Sequence, residues 1–322
     1  MPLRRRALLA APLTLTAIPA RAQGGFPDRP IRVVIGYPPG GGVDTVGRPI
    51  LQRVQELLGQ PVVVENRAGA NGNIAMEHVA RAEPDGHVIF LGDAGNLAIT
   101  HALYPALPFD TQRDFAGVAQ LTAGPVVLVV PAALPAATHA DLVALARARP
   151  GALNFGSAGI GSGPHLFWES WRRAAGVEML HVPYRGTGPA LQGMLAGEVQ
   201  LMIGNYGVFR GPHEGGLVRV LAISSRARHP ALPDVPTVRE TGTDWSEVGF
   251  NGVVAPARIP PDRRRRLEEA FRVVMAEQAM AQRLTALGSV VDFAPGAALD
   301  QRMRAERESW TRLVAAANIR VE

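Results

Sequence analysis

The chain of 322 residues contains no cysteine. That excludes disulfides, thiolate zinc sites and cysteine nucleophiles, and it leaves the compartment open. Lysine is missing too, since all 33 basic residues are arginine. A P-loop lysine, a Schiff-base lysine and Ser-Lys catalysis are therefore excluded. The histidines, at 78, 87, 101, 139, 165, 181, 213 and 229, form no His-x-x-x-His or similar ligand spacing, so no metal site is predicted. No Gly-x-Gly-x-x-Gly follows the first strand, and no cofactor is expected. Beyond residue 22 no run is long and apolar enough to span a membrane.

What is present at the start reads as an export signal over residues 1–22. Arg4-Arg5-Arg6 is a positive n-region, and Ala7 to Ala20 is apolar but short. Ala20-Arg21-Ala22 fits the small-x-small cleavage rule, which leaves Gln23 as the mature N-terminus. The paired arginines also allow a twin-arginine signal. The segment holds four of the 33 arginines and none of the 28 acids, so the mature charge is 29 minus 28, or +1. The basicity lies mostly in the signal, and nucleic acid is not implied as a partner.

After the signal, strands alternate with helices. The order β-α-β-α-β over residues 32–91 argues for a parallel sheet with right-handed crossovers. Val43, Val46, Ile50, Val54, Leu57 and Leu58 recur at helical spacing over 44–58, with Pro49 predicting a kink or a late start. A first crossing between domains is placed around Gly124-Pro125, and a second αβ series follows it. Val248–Ala255 crosses back, two helices follow near 261–286, and a last one spans 296–317. The domain boundaries are 23–122 for the first part of lobe one, 123–247 for lobe two, and 248–322 for the return crossing and the rest of lobe one.

One loop type recurs. A strand ends in a Gly/Ser/Pro loop and a helix begins, at 38–42, 66–72, 92–96, 156–163 and 183–188. Ligands of open α/β sheets bind outside the carboxyl ends of the strands, so these loops describe a cleft with backbone walls. The first loop, Pro38-Pro39-Gly40-Gly41-Gly42, combines free backbone with a helix N-terminus. It reads either as an anion cradle of N–H groups or as an ordinary strand-to-helix turn.

Ser157, Ser162 and His165 stand close together, which admits a serine nucleophile. Gly161-Ser162-Gly163 and Gly156-Ser157-Ala158-Gly159 both miss the Gly-x-Ser-x-Gly spacing. Pro164 fits the first helical position, so the serines read also as caps and anion ligands, or as turn residues alone. Asp44 reads as a helix cap or as a ligand group. Tyr184-Arg-Gly-Thr-Gly-Pro offers the same kind of N–H donors plus the Thr187 hydroxyl.

Together these residues resemble the periplasmic receptors of tripartite tricarboxylate transporters, the Bug receptor family. The matching pieces run in order over nearly all of the mature chain. They are Pro39-Gly-Gly with Asp44, Pro61-Val-Val-Val-Glu-Asn-Arg-Ala-Gly, Pro84-Asp-Gly, and Ala152-Leu-Asn-Phe-Gly-Ser-Ala-Gly-Ile-Gly-Ser with His165. His181-Val-Pro-Tyr-Arg-Gly-Thr-Gly-Pro-Ala, Leu232-Pro-Asp-Val-Pro-Thr and Ala255-Pro-Ala complete them.

The resemblance implies an α/β, two-lobed periplasmic-binding-protein fold of the type II kind. Each lobe would be a mostly parallel sheet flanked by helices, and two crossing strands would join them. It implies a non-enzymatic receptor that closes over a small organic carboxylate and hands it to membrane permease subunits or a sensor. The working unit would be a monomer in the periplasm. Carried over, the ligand-binding residues are Gly40, Gly41, Gly42 and Asp44 in lobe one, and Ser157, Gly161, Ser162, Tyr184, Gly186 and Thr187 in lobe two. Where the family often has an acid, at the end of Leu201-Met-Ile-Gly-Asn, this chain has Gly204-Asn205, which favours a dicarboxylate or a simple or aromatic carboxylate over a zwitterionic amino acid, unless Asp44 or Asp93 pairs with the ammonium. The alternative is an exported α/β hydrolase using Ser157 or Ser162.

Overall fold

The computed structural model describes residues 25–104, 106–317 and 319; the expected export segment and its cleavage site lie outside them. The chain opens with β1 (Ile31–Ile35), α1 (Gly42–Leu58), β2 (Val62–Asn66), α2 (Asn73–Ala80) and β3 (Val88–Asp93). A π-helical turn over Gly95–Ile99 runs into the short α3 (Thr100–Leu103), and β4 (Phe115–Pro125) follows. The next series is β5 (Val127–Pro131), α4 (His139–Ala148), β6 (Asn154–Ser157), α5 (Gly163–Ala175) and β7 (Leu180–Pro183). It continues as α6 (Thr187–Leu195), β8 (Leu201–Gly204), α7 (Tyr206–Glu214) and β9 (Val218–Ile223). The return is β10 (Val248–Pro256), α8 (Pro261–Met275), α9 (Gln278–Ala286), β11 (Val290–Pro295) and α10 (Gly296–Ala317).

Two sheets result, with strand orders β11-β4-β10-β3-β1-β2 and β7-β6-β8-β5-β9. Each begins parallel, β1 beside β2 and β3, and β6 beside β7 and β8. Each ends antiparallel, because the strand that arrives from the other lobe, β10 or β5, lies reversed between its two neighbours, and β11 adds a further antiparallel edge to the first sheet. The sheets are therefore mixed rather than mostly parallel, a consequence of the chain crossing twice between lobes. β4 and β10 carry those crossings and pair antiparallel, from Val248 beside Pro125 to Pro256 beside Phe115. Ser224 ties them together: its hydroxyl accepts from Val126 N at 2.8 Å and donates to the Glu247 carbonyl.

Local chemistry explains the element ends. α1 closes on Gly59, whose φ of 66° places it in the left-handed region a C-cap favours. Pro49 sits inside α1 without delaying its start, since the helix runs from Gly42. Its missing N–H costs one helix bond, and the residue is buried on α1. Thr138 and Asp141 form a capping box at α4. Ser162 caps α5 ahead of Pro164. Lobe one packs α1, α8 and α9 against one face of its sheet. Among the described residues no helix is long and apolar enough to cross a membrane.

Candidate functional site

The first loop is held from behind by Asp44. Its carboxylate is 2 % exposed and accepts from Gly40 N at 3.0 Å, Arg48 Nε at 2.7 Å and Asn66 Nδ2 at 3.1 Å. Burial alone would push this carboxyl up, but those bonds outweigh it and hold it below the ordinary carboxylate value. Asp44 is thus neither the N-cap, which is Gly41, nor a wall of the cleft. Gly40 carries the positive φ of the loop, +80°. Its N–H is committed to Asp44, and that of Gly41 to the Pro38 carbonyl at 3.3 Å. The N–H groups of Gly42 and Val43, the first of α1, remain free among the described residues and border the cleft.

The second-lobe loop after β6 is also largely self-satisfied. Ser162 Oγ donates to the Gly159 carbonyl at 2.8 Å and accepts from His165 N at 3.4 Å. Gly161, at φ +77°, donates its N–H to His165 Nδ1 at 3.0 Å. Ser157 Oγ lies 2.6 Å from His181 Nε2, and His181 stacks on His165 with ring centroids 4.1 Å apart. Burial pushes His165 down to about 3, helped by the neighbouring charges of His181 and Arg172, and pushes His181 down to about 4. Both serines are fully buried and neither borders the cleft. The serine–histidine proximity therefore builds a loop, and the hydrolase alternative finds no support.

Tyr184 points away, its hydroxyl donating to Glu198 Oε2 at 2.7 Å, which, after burial, pushes it up to about 12. Gly186, at φ +123°, is the N-cap of α6; a Cβ there would come within 3.1 Å of Pro38 in the opposite lobe. Thr187 borders the cleft.

The cleft between the lobes contains about 910 Å³ of space, part of it open to solvent. The N-terminal residues of α1 (Gly42), α5 (Gly163), α6 (Thr187) and the cap of α7 (Asn205) all border it. Helix N-termini present unpaired N–H groups and partial positive charge, a setting for an anion. No arginine borders the cleft, and Asp93 is its one charged side chain among the described residues. Of the ten expected site residues, Gly41, Gly42 and Thr187 border it, while the other seven lie behind or beside it.

Sequence reasoning missed Tyr37, Gly95, Phe167 and Asn251, and named Asp93 only as an acid able to meet a ligand ammonium. Asp93 was within reach, because it ends β3 in one of the recurrent strand-end loops. Asn251 was not, because it faces the cleft only through the antiparallel register of β10 with β3. Asn205 uses its side chain elsewhere: Oδ1 accepts from Gly207 N at 2.8 Å and Nδ2 donates to Ser289 Oγ at 2.8 Å.

The fold and cleft define a two-lobed solute-binding protein of the periplasmic kind. A family model described as tripartite tricarboxylate transporter family receptor matches residues 46–319. A Pseudomonas sp. (strain P51) protein, named for the tcbD-tcbE intergenic region, is 38% identical over 315 residues, 97% of this chain and 94% of its own. Among solved structures, Rpa4515 of R. palustris with adipate is 30% identical with a TM-score of 0.89, covering 92% of this chain and 99% of that one. MatC of Rhodopseudomonas palustris with bound malate is 33% identical with a TM-score of 0.84, covering 90% and 100%. The chain belongs to the tripartite tricarboxylate transporter receptor family.

Proposed function

We propose that this chain is a non-enzymatic periplasmic receptor that captures one small organic carboxylate between its lobes. Closure then makes it a substrate for the membrane permease subunits of a tripartite transporter, or a signal for a sensor. The observation that carries the reading is the cleft itself: helix N-termini of both lobes converge on a space that no basic side chain among the described residues borders. Backbone donors read a carboxylate without demanding a particular carbon skeleton. The adipate and malate in the two Rhodopseudomonas relatives are consistent with that chemistry.

In this reading Gly42, Val43 and Thr187 contact the ligand, directly or through water. Gly40, Gly41, Asp44, Ser157, Gly161, Ser162, Tyr184 and Gly186 shape the loops that present them. Lobe one comprises 23–122 and 248–322 and lobe two 123–247, after removal of the signal near Ala22. One chain closes on one ligand.

A thermal-shift screen of mono-, di- and tricarboxylates tests this. A ligand at about a hundred times its dissociation constant adds about 2.7 kcal/mol to stability. No shift with any carboxylate at millimolar concentration removes the reading. In solution scattering the binding carboxylate shrinks the radius of gyration, as closure about the β4 and β10 crossings requires. An unchanged profile at calorimetrically proven saturation removes the closure.

A further inference from the structure

The geometry points to Asp93 as the residue that selects a carboxylate bearing a hydrogen-bond donor, a hydroxyl or an ammonium, beside its acid group. This assignment rests on the carboxylate reading above and narrows it.

Asp93 closes β3 and is half-buried at the wall of the cleft, directly across the ladder from Asn251. One oxygen, Oδ1, is fixed from inside lobe one: Tyr37 Oη donates to it at 3.2 Å and Asn96 N at 3.2 Å. Tyr37 is itself pinned, accepting from Asn96 Nδ2 at 3.2 Å. The carboxylate therefore has a set orientation before any ligand arrives. Burial pushes Asp93 up, against hydrogen bonds from Asn96 N, Tyr37 Oη and the Gly95 backbone that favour its charged form. No arginine or histidine among the described residues pairs with it.

The place is tight and lies where the lobes meet. A Cβ added to Gly95 would stand 3.0 Å from Asp93 Oδ1 and 3.1 Å from Gly163 N in the other lobe. Asp93 thus borders the space between the lobes that a bound ligand would share. The rest of the cleft wall offers backbone donors and neutral groups. Lobe two contributes no competing acid at the end of β8, where Gly204 has no side chain and Asn205 is engaged in the α7 cap and the Ser289 bond. A ligand donor satisfies Asp93. A fully ionised dicarboxylate without a donor sets like charges together in a desolvated space. This proposal departs from the Gly204-Asn205 expectation that a zwitterion is disfavoured, because Asp93 supplies an acceptor from the opposite lobe.

Calorimetry of the mature chain with succinate, malate and aspartate tests the assignment. These share a four-carbon dicarboxylate frame and differ in carrying no donor, a hydroxyl or an ammonium. Malate or aspartate should bind at least about tenfold more tightly than succinate. In Asp93→Ala, and more mildly in Asp93→Asn, that preference should fall to within about threefold through loss of the donor-bearing ligand. Succinate binding tightest to the wild type overturns the assignment without any variant. So does a malate or aspartate preference unchanged in Asp93→Ala. Succinate binding as tightly as malate with net proton uptake, measured in two buffers, also overturns it, because Asp93 then acts as a protonated donor. If none of the three binds but other carboxylates shift the melting temperature, the selectivity fails and the receptor reading stands.

Discussion

Asp44→Ala is the substitution that separates a carboxylate that builds the loop from one that touches the ligand. Removing it leaves Gly40 N, Asn66 Nδ2 and Arg48 Nε without their shared acceptor. Bonds to a charged group contribute about 1.5–3 kcal/mol each, and the Arg48 share is discounted because that side chain is 50% exposed. The expected loss is about 3 kcal/mol, a fall of roughly 6–10 °C in melting temperature. Freed from its tether, Gly40 no longer sets the entry to α1, and carboxylate affinity should drop by about tenfold or more. Asp44→Asn keeps one acceptor and should lose about half as much. The folded-state value of Asp44 lies below its ordinary one, so its contribution is present above the ordinary value and disappears as pH falls through the folded one. The stability gap between wild type and variant should therefore close in acid. Denaturation and calorimetry on the same samples check this. A variant within about 0.5 kcal/mol of wild type with unchanged affinity refutes the reasoning. Lost affinity at unchanged stability would mean that Asp44 contacts ligand directly.

Three further outcomes are expected. A Cβ on Gly42 would stand 3.6 Å from Asn205 Cβ across the cleft, so Gly42→Val should cost more than about tenfold in binding through its extra methyls while leaving the far-ultraviolet spectrum intact; binding within twofold of wild type would contradict the cleft geometry. Burial, reinforced by the facing Glu306, pushes Glu247 from 4.5 up to about 6. Its raised value favours the fold below about pH 4.5 and loses that contribution as pH rises through 6, so Glu247→Gln should be more stable than wild type at pH 8 by up to about 2 kcal/mol and equal to it at pH 4, by urea denaturation. His139, His165 and His181 are pushed from 6.5 down to about 4, 3 and 4, so the unfolded chain takes up protons first and stability should fall from pH 6.5 toward 4; His181→Asn should flatten that slope, and an unchanged slope would show that His181 does not contribute.

The loops were legible in the sequence because their chemistry is local. Gly40, Gly161 and Gly186 adopt the positive φ that glycine permits, and Ser162 with Pro164 starts α5 as the cap rules require. The alternation of short β-branched runs with amphipathic helices carried the α/β class. Less visible was β11, which carries polar Asp292 between apolar neighbours and exists because β4 offers it an edge. α7 was obscured as well, since Gly207, Gly211 and Pro212 argue against a helix, yet Asn205 caps it. The π-helical turn at Gly95–Ile99 has no periodic signature at all.

The sequence by itself determined the building units: which residues turn, which cap, and which stripes must be buried. Those properties depend on backbone sterics and on neighbours three or four positions away. Only the tertiary structure decided which groups meet at the cleft. Asp93, Asn205 and Asn251 come together because two antiparallel crossings fold one lobe back on the other, bringing the end of β3 to face the N-terminus of α5. The same packing turned Asp44, Ser157 and Ser162 inward, where their polar atoms had to be paired within the protein. The functional charge of the site therefore follows from where helices end in space, a quantity that no stretch of sequence contains.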